Sequence, residues 1–193
     1  MSDEKATKQP VINVRGAKVA LGPMLAAQRE IFVAYMQDPE ISIYAGGSFK
    51  AQSLEQTGQM FDDFLKKSHN FSIYELENLT MIGTGGLREV SHRNGTASFG
   101  IEIGHKDYWG KGFGTEATRL VLDYGFRFLN LSSIYLNTFS FNARAVRSYE
   151  KAGFKHAGQR RGAVLLNGQR YDDLTMDCLS SEFESPVPVW FTL

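Results

Sequence analysis

Hydrophobic and polar positions repeat with two different periods along this chain, and the changes of period mark its elements. Residues 16–21 read as a first strand, with Gly22-Pro23 as its stop. Between residues 24 and 36, Leu25, Ile31, Phe32 and Tyr35 have the spacing of a helix. Asp38-Pro39 interrupts it, and a short helix or loop carries residues 41–44. Ser53 is a suitable N-cap, and behind it Met60, Phe61, Phe64 and Leu65 share one helical face. The period then drops to two. Residues 71–76, 81–90 and 96–103 read as three antiparallel strands, with turn chemistry at Glu77-Asn78 and Arg93-Asn94-Gly95. Helical spacing returns at Phe113, Ala117, Leu120, Val121, Tyr124 and Phe128. A strand follows at 134–139. Asn142 then caps a helix that runs to Ala152, with Gly153 as its left-handed stop. Strands at 164–166 and 171–178 close around Asn167-Gly168. The order, β-α-α-β-β-β-α-β-α-β-β, is that of a mixed α/β domain.

Composition narrows the classes. The chain has 193 residues, 42% of them apolar, which suits one domain over residues 11–179. Residues 1–10 are polar, mixed in charge and without an apolar core, so they read as a frayed tail rather than a secretory signal. No window approaches a membrane span of ~20 apolar residues. Lysine plus arginine and aspartate plus glutamate each number 21, which argues against charge-driven nucleic-acid binding but not against a local basic pocket. The single cysteine, Cys178, cannot form an internal disulfide, and the cytoplasm is the expected location. His69, His92, His105 and His156 lack metal-ligand spacing, so no metal is expected. Residues 180–193, ending near Val189-Trp190-Phe191, are an extension expected to dock on the body or on a second copy in a homodimer.

The segment from residue 96 to 129 carries most of the functional information. A strand runs into Gly110, Gly112 and Gly114, and a helix starts there. Glycines admit close backbone approach, and the first amides of a helix lack internal partners at its positive end. Together they suit a phosphate or pyrophosphate on the amides from Lys111 to Thr115, with the Lys111 charge nearby. A P-loop is excluded, because no lysine follows the last glycine. A Rossmann fingerprint is disfavoured by the glycine spacing and by the hairpin-linked strands before it.

On these residues the chain resembles the GNAT superfamily of N-acetyltransferases, and within it the RimJ/RimL-like branch. That family binds acetyl-CoA through [QR]-x-x-G-x-[GA]. Here the block falls on Trp109-Gly110-Lys111-Gly112-Phe113-Gly114, with Trp109 in place of glutamine or arginine. A second block, N-x-x-A-x-x-x-Y-E-x-x-G-F, matches Asn142, Ala145, Tyr149, Glu150, Gly153 and Phe154. A third, N-G-x-x-x-D, matches Asn167, Gly168 and Asp172. The resemblance spans residues 16–179 and implies an α/β GNAT fold: a mixed, largely antiparallel sheet of about seven strands flanked by helices. It also implies that the backbone of Ile101 and Ile103 binds the pantetheine arm, with Asn142 as a helix cap and coenzyme contact.

Acetyl transfer to an amine requires a deprotonated amine, a polarised thioester carbonyl and a stabilised leaving thiolate. The resemblance places Tyr149 beside the coenzyme sulfur as the acid; helical spacing alone reads it as a packed aromatic. Many GNAT enzymes carry a glutamate near the position of Ser98. Serine can hold a water but cannot be the base. Glu102 shares a strand face with Ser98 and Gly100, opposite Phe99, Ile101 and Ile103, so it can reach the same cleft or be a solvated carboxylate. Arg160-Arg161 and Asp172-Asp173 read as solvated hairpin residues, with a coenzyme phosphate and a cationic substrate as their functional alternatives. The acceptor is a small primary amine or the α-amine of a peptide; zero net charge favours the first. A non-catalytic acyl-CoA-binding module is the alternative class.

Overall fold

The computed structural model describes residues 10–49, 51–67 and 69–186. Its strands form one eight-stranded sheet. They are β1 (Val14–Arg15), β2 (Val19–Pro23), β3 (Asn70–Glu75), β4 (Met81–Ser91), β5 (Thr96–Ile103), β6 (Ser133–Phe139), β7 (Lys155–Leu166) and β8 (Gln169–Leu179). The order across the sheet is β1-β2-β3-β4-β5-β6-β8-β7, and every neighbouring pair is antiparallel except β5 and β6. The helices are α1 (Arg29–Met36), α2 (Pro39–Gly46), α3 (Leu54–Leu65), α4 (Phe113–Phe128) and α5 (Ala143–Ala152).

Local chemistry explains most boundaries. Asp38 accepts from the amides of Glu40 and Ile41, and Pro39 takes the first helical position, so Asp38-Pro39 starts α2 rather than only interrupting a helix. Ser53 and Gln56 form a reciprocal capping box on α3. Gly153 ends α5 at φ 114°. Three boundaries differ from expectation. The first long strand begins at Val19, not residue 16, because residues 16–18 make the turn from β1 into β2, closed by Gly16 N on the Val19 carbonyl at 2.8 Å. It also runs through Gly22 to Pro23, which closes the strand at its end, where a missing N–H costs least. The two-residue β1 ahead of it is the strand beyond the expected seven. β7 begins at Lys155, well before residue 164; its first residues are exposed and polar, so they carry no alternation to read.

The two faces of the sheet are dressed differently. On one, Leu87, Ala97 and Phe99 pack against Ala117, Leu120 and Val121 of α4 and with Phe154 in the main core. Cys178 is buried in the same core. On the other, α1 and α3 bring Phe32 and Phe61 together with Met24 in a second cluster. Burying a side chain of this size stabilises by roughly 1.5–3 kcal/mol, so both faces are held by packing rather than by surface charge. The extension begins by docking on the body, since the Phe183 ring lies 5.2 Å from that of Phe126. Residues 189–191 and the tail, apart from Pro10, lie outside the described residues. Among the described residues, no helix is long and apolar enough to cross a membrane.

Candidate active site

The sheet contains a built-in split. β5 and β6 are parallel and pair only from Thr96 to Ser98 against Ser133 to Tyr135. Beyond Ser98 they part, while β5 remains paired to β4 as far as Ile103. The gap opens into a cleft of about 690 Å³ lined by Ile101, Glu102 and Ile103 of β5, the glycine turn, the start of α4, and α5. Residues from opposite faces of the sheet therefore reach one space. Tyr149 enters from the α5 side, where its ring meets Phe99 and Phe154 at 6.2 and 6.0 Å. Glu102 enters from the other side. Its face also carries Gly100, whose missing Cβ looks at the Arg88 guanidinium from 3.4 Å, and Arg88 itself lies 4.5 Å over the Phe64 ring of α3.

The glycine turn presents bare backbone. None of the N–H groups from Gly110 to Thr115 donates to a described acceptor; the first paired amide is Glu116, on the Gly112 carbonyl at 3.1 Å. Gly110 and Gly112 have φ of 71° and 83°, which L side chains rarely adopt. A row of free amides at a helix N-terminus is an anion cradle. Gly110, Gly112, Gly114 and Thr115 line the cleft. The Lys111 side chain is exposed and not part of the lining, while its carbonyl accepts from Lys18 Nζ at 2.7 Å. Lys18 is thus the cation nearest the Gly112 position, 3.1 Å from where a Cβ would stand. Phe113 also lies outside the lining, with its ring edge-on to Tyr108 at 5.0 Å.

Trp109 lines the cleft and donates from Nε1 to the Ile103 carbonyl at 2.6 Å. One carbonyl expected to face the pantetheine arm therefore already holds an indole. The Arg144 guanidinium lies 3.7 Å from the centre of the Trp109 ring and 5.1 Å from that of Tyr44 in α2. This stack fixes α2 at the cleft more firmly than the exposed pairs of Lys106 with Asp38 and Glu40, because surface ion pairs contribute only ~0–1 kcal/mol. Asn142 is buried and does two things: Oδ1 accepts from Ala145 N at 3.2 Å as the cap of α5, and Nδ2 donates to the Tyr44 carbonyl at 3.5 Å.

The chemistry of the cleft rests on two groups without described hydrogen-bond partners, the Glu102 carboxylate and the Tyr149 hydroxyl. Burial pushes Glu102 up to about 7, against a smaller opposing pull from Arg88. Burial likewise pushes Tyr149 up to about 12. One group can accept a proton near neutral pH, and the other stays protonated across the physiological range. Ser98 is not brought to them. It lies outside the lining, and its hydroxyl donates to the Arg88 carbonyl at 3.3 Å. The strand parity was right, but at Ser98 the split has not yet opened.

Several lining residues escaped the sequence reading. Arg144, Arg147 and Lys151 line the cleft from α5, and Arg15 and Arg119 join them. The α5 cations stand at helical spacing on one face, a signal that was present in the sequence. Arg15 ends β1 and Lys18, outside the lining, lies in the turn after it, about a hundred residues from α4, and no local pattern reveals them. Glu116 clamps that turn to α4 through the amides of Lys18 and Val19, at 3.0 and 3.3 Å. On the far hairpin, Arg160 is exposed and pairs with Asp173, Arg161 is exposed, and Asp172 accepts from Gly162 N at 2.8 Å, so the two aspartates hold the hairpin while the arginines face solvent. Among the described residues, no group of three or more His, Cys, Asp and Glu is placed to hold a metal ion.

Comparisons agree with this geometry. Residues 19–155 match the sequence profile of a family described as "Acetyltransferase (GNAT) domain". An uncharacterized N-acetyltransferase, p20 of Bacillus licheniformis, is 27% identical over 170 residues, covering 86% of this chain and 95% of that protein. A spermidine N(1)-acetyltransferase of Escherichia coli strain K12 is 38% identical over 90 residues, covering 47% of this chain and 48% of that one. Among solved structures, a GNAT-family acetyltransferase from Bacillus anthracis superposes with a TM-score of 0.76 at 18% identity, over 88% of this chain and 99% of that one. Spermidine N-acetyltransferase from Vibrio cholerae, in complex with CoA and spermine, superposes with a TM-score of 0.75 at 24% identity, over 86% of this chain and 98% of that one.

Proposed function

From the premise that the chain belongs to the GNAT acetyltransferase family, we propose that it moves an acetyl group from acetyl-CoA to the primary amine of a small cationic molecule, by direct attack and in the cytoplasm. The observation that carries this reading is the cleft through the sheet, where a carboxyl and a phenol from opposite faces meet a row of free amides. The residues fit the coenzyme. The amides from Gly110 to Thr115 hold its pyrophosphate, and the basic rim of α5 supplies positive charge in a chain with none in net. The free backbone of Ile101 beside the split takes the pantetheine amides. When bound, the coenzyme supplies an activated acetyl thioester.

The remaining work belongs to this chain's own groups. An ammonium has no lone pair, so Glu102 takes a proton from the incoming amine at its carboxylate, directly or through one water. With a value of about 7 it is partly ionised at neutral pH and becomes a better acceptor as pH rises. Tyr149 donates from its hydroxyl to the departing sulfur. The burial that raises the phenol also raises a thiolate in the same cleft, so donor and acceptor stay matched. Phe99 and Phe154 fix the phenol ring.

Relatives named spermidine N(1)-acetyltransferases support a polyamine as the acceptor class. The branch of the family is RimJ/RimL-like, on the Tyr108-Trp109-Gly110-Lys111-Gly112 form of the turn. The test is thiol release from acetyl-CoA over a panel of polyamines, amino-sugar antibiotics, amino acids and short peptides. Release with a polyamine or another small amine is expected. Release only with peptide α-amines would redirect the reading to protein N-termini, and tight CoA binding without release to any amine would leave a binding module.

A further inference from the structure

The start of the C-terminal extension packs on α4 and ends at the cleft. Ser180 N donates to the Ser132 carbonyl at 3.0 Å, and Glu182 pairs with Lys155 at 2.8 Å. Phe183 then packs on Phe126, and the Arg119 guanidinium lies 5.8 Å over the same Phe183 ring. Arg119 Nη2 donates to the Glu184 carbonyl at 2.8 Å. Two residues on, Pro186 lines the cleft together with Arg119. This segment therefore reaches the cleft at Pro186 and grips one of its cations.

Arg119 stands four residues after Thr115, on the same side of α4 as the end of the amide row. It enters the cleft one helical turn past the pyrophosphate cradle and makes no ion pair with a described carboxylate. A guanidinium has five N–H donors. One is used on the Glu184 carbonyl, which fixes the plane of the fork and leaves others free for a phosphate. In coenzyme A a third phosphate lies beyond the pyrophosphate, on the ribose. We propose that residues 180–186 form a strap that completes the nucleotide end of the coenzyme site and holds Arg119 to receive the ribose 3′-phosphate. The proposal rests on the acetyl-CoA reading above and adds to it a specific role for the extension.

The test is calorimetric affinity for CoA and for dephospho-CoA, which lacks only the 3′-phosphate. The proteins are the native chain, Arg119→Gln, Phe183→Ala and a truncation after Leu179, each checked for folding by circular dichroism and thermal melting. The native chain should prefer CoA by about 10- to 100-fold, the range of a charge-assisted hydrogen bond. Arg119→Gln should erase the preference and leave dephospho-CoA affinity close to native. Phe183→Ala, which loosens the strap without removing it, should reduce the preference several-fold even if the truncation fails to fold. A preference kept intact in folded Arg119→Gln and Phe183→Ala would overturn the proposal. Equal losses for both nucleotides would also overturn it, by showing that Arg119 serves a group the two share. A native chain that binds neither nucleotide would instead refute the coenzyme reading itself.

Discussion

The two sides of the cleft are built by different means. The side proposed for the coenzyme is mostly backbone: free amides from Gly110 to Thr115, two glycines at positive φ, and the open edge of β5. The side proposed for the acceptor is mostly side chains gathered from separated segments: Tyr44 of α2 and Glu102 of β5 line it, with Arg88 of β4 and Phe64 of α3 behind Glu102. Backbone sites tolerate many side chains but few changes of conformation, so they leave short, spaced glycine motifs. Side-chain sites depend on which distant residues meet, so they leave no local motif and can be retuned for a new amine without disturbing the coenzyme. That division explains why the chain carries a local motif for a coenzyme and none for an acceptor.

The contrast can be broken or sharpened by substitution. The largest effect is expected at the junction of the two sides. Tyr149→Phe removes a hydroxyl and leaves the ring packed on Phe99 and Phe154, so turnover should fall ~10²–10⁴-fold while CoA affinity is retained. Stopped-flow acetyl transfer alongside calorimetry would read both, and unchanged chemistry would remove Tyr149 from the mechanism. Next is Gly112→Val, at φ 83° beside Lys18. A β-branched residue there forces the turn to move, and CoA affinity should drop at least ~10-fold, with acceptor affinity nearly unaffected. The smallest is Ser98→Ala. Its hydroxyl meets the Arg88 carbonyl and Tyr135, and Ser98 lies outside the cleft lining, so steady-state turnover should stay within about twofold of native. A large loss would mean that the cleft opens further along β5 than its pairing with β6 shows.

The legible part of the molecule follows the same division. The glycine turn, the Asn142 cap, the Gly153 stop and the parity that turns Glu102 away from Phe99 were all readable, because each is set by neighbours a few residues apart. Ser98 and Glu102 had equal parity, and only the point where β5 leaves β6 separates them. That point depends on two strands far apart in sequence. β1, the Lys18 contact and the Glu116 clamp were hidden for the same reason. The basic stripe of Arg144, Arg147 and Lys151 was visible in helical spacing but reads as an ordinary solvated face until α5 is placed beside α4.

The central claim is that Glu102 accepts the amine's proton inside this cleft. Single-turnover acetyl transfer at saturating polyamine, followed across pH for the native chain and Glu102→Gln, tests it most directly. A base held near 7 must lose its own proton to work, so the native rate should rise as pH passes through about 7. Glu102→Gln keeps the shape and removes the basicity. It should lack that rise, be slowest relative to native below the amine's own pKa, and recover part of the deficit at high pH, where free amine is abundant. Equal rates for the two proteins at every pH would contradict the claim and leave Glu102 as a residue that only shapes the cleft.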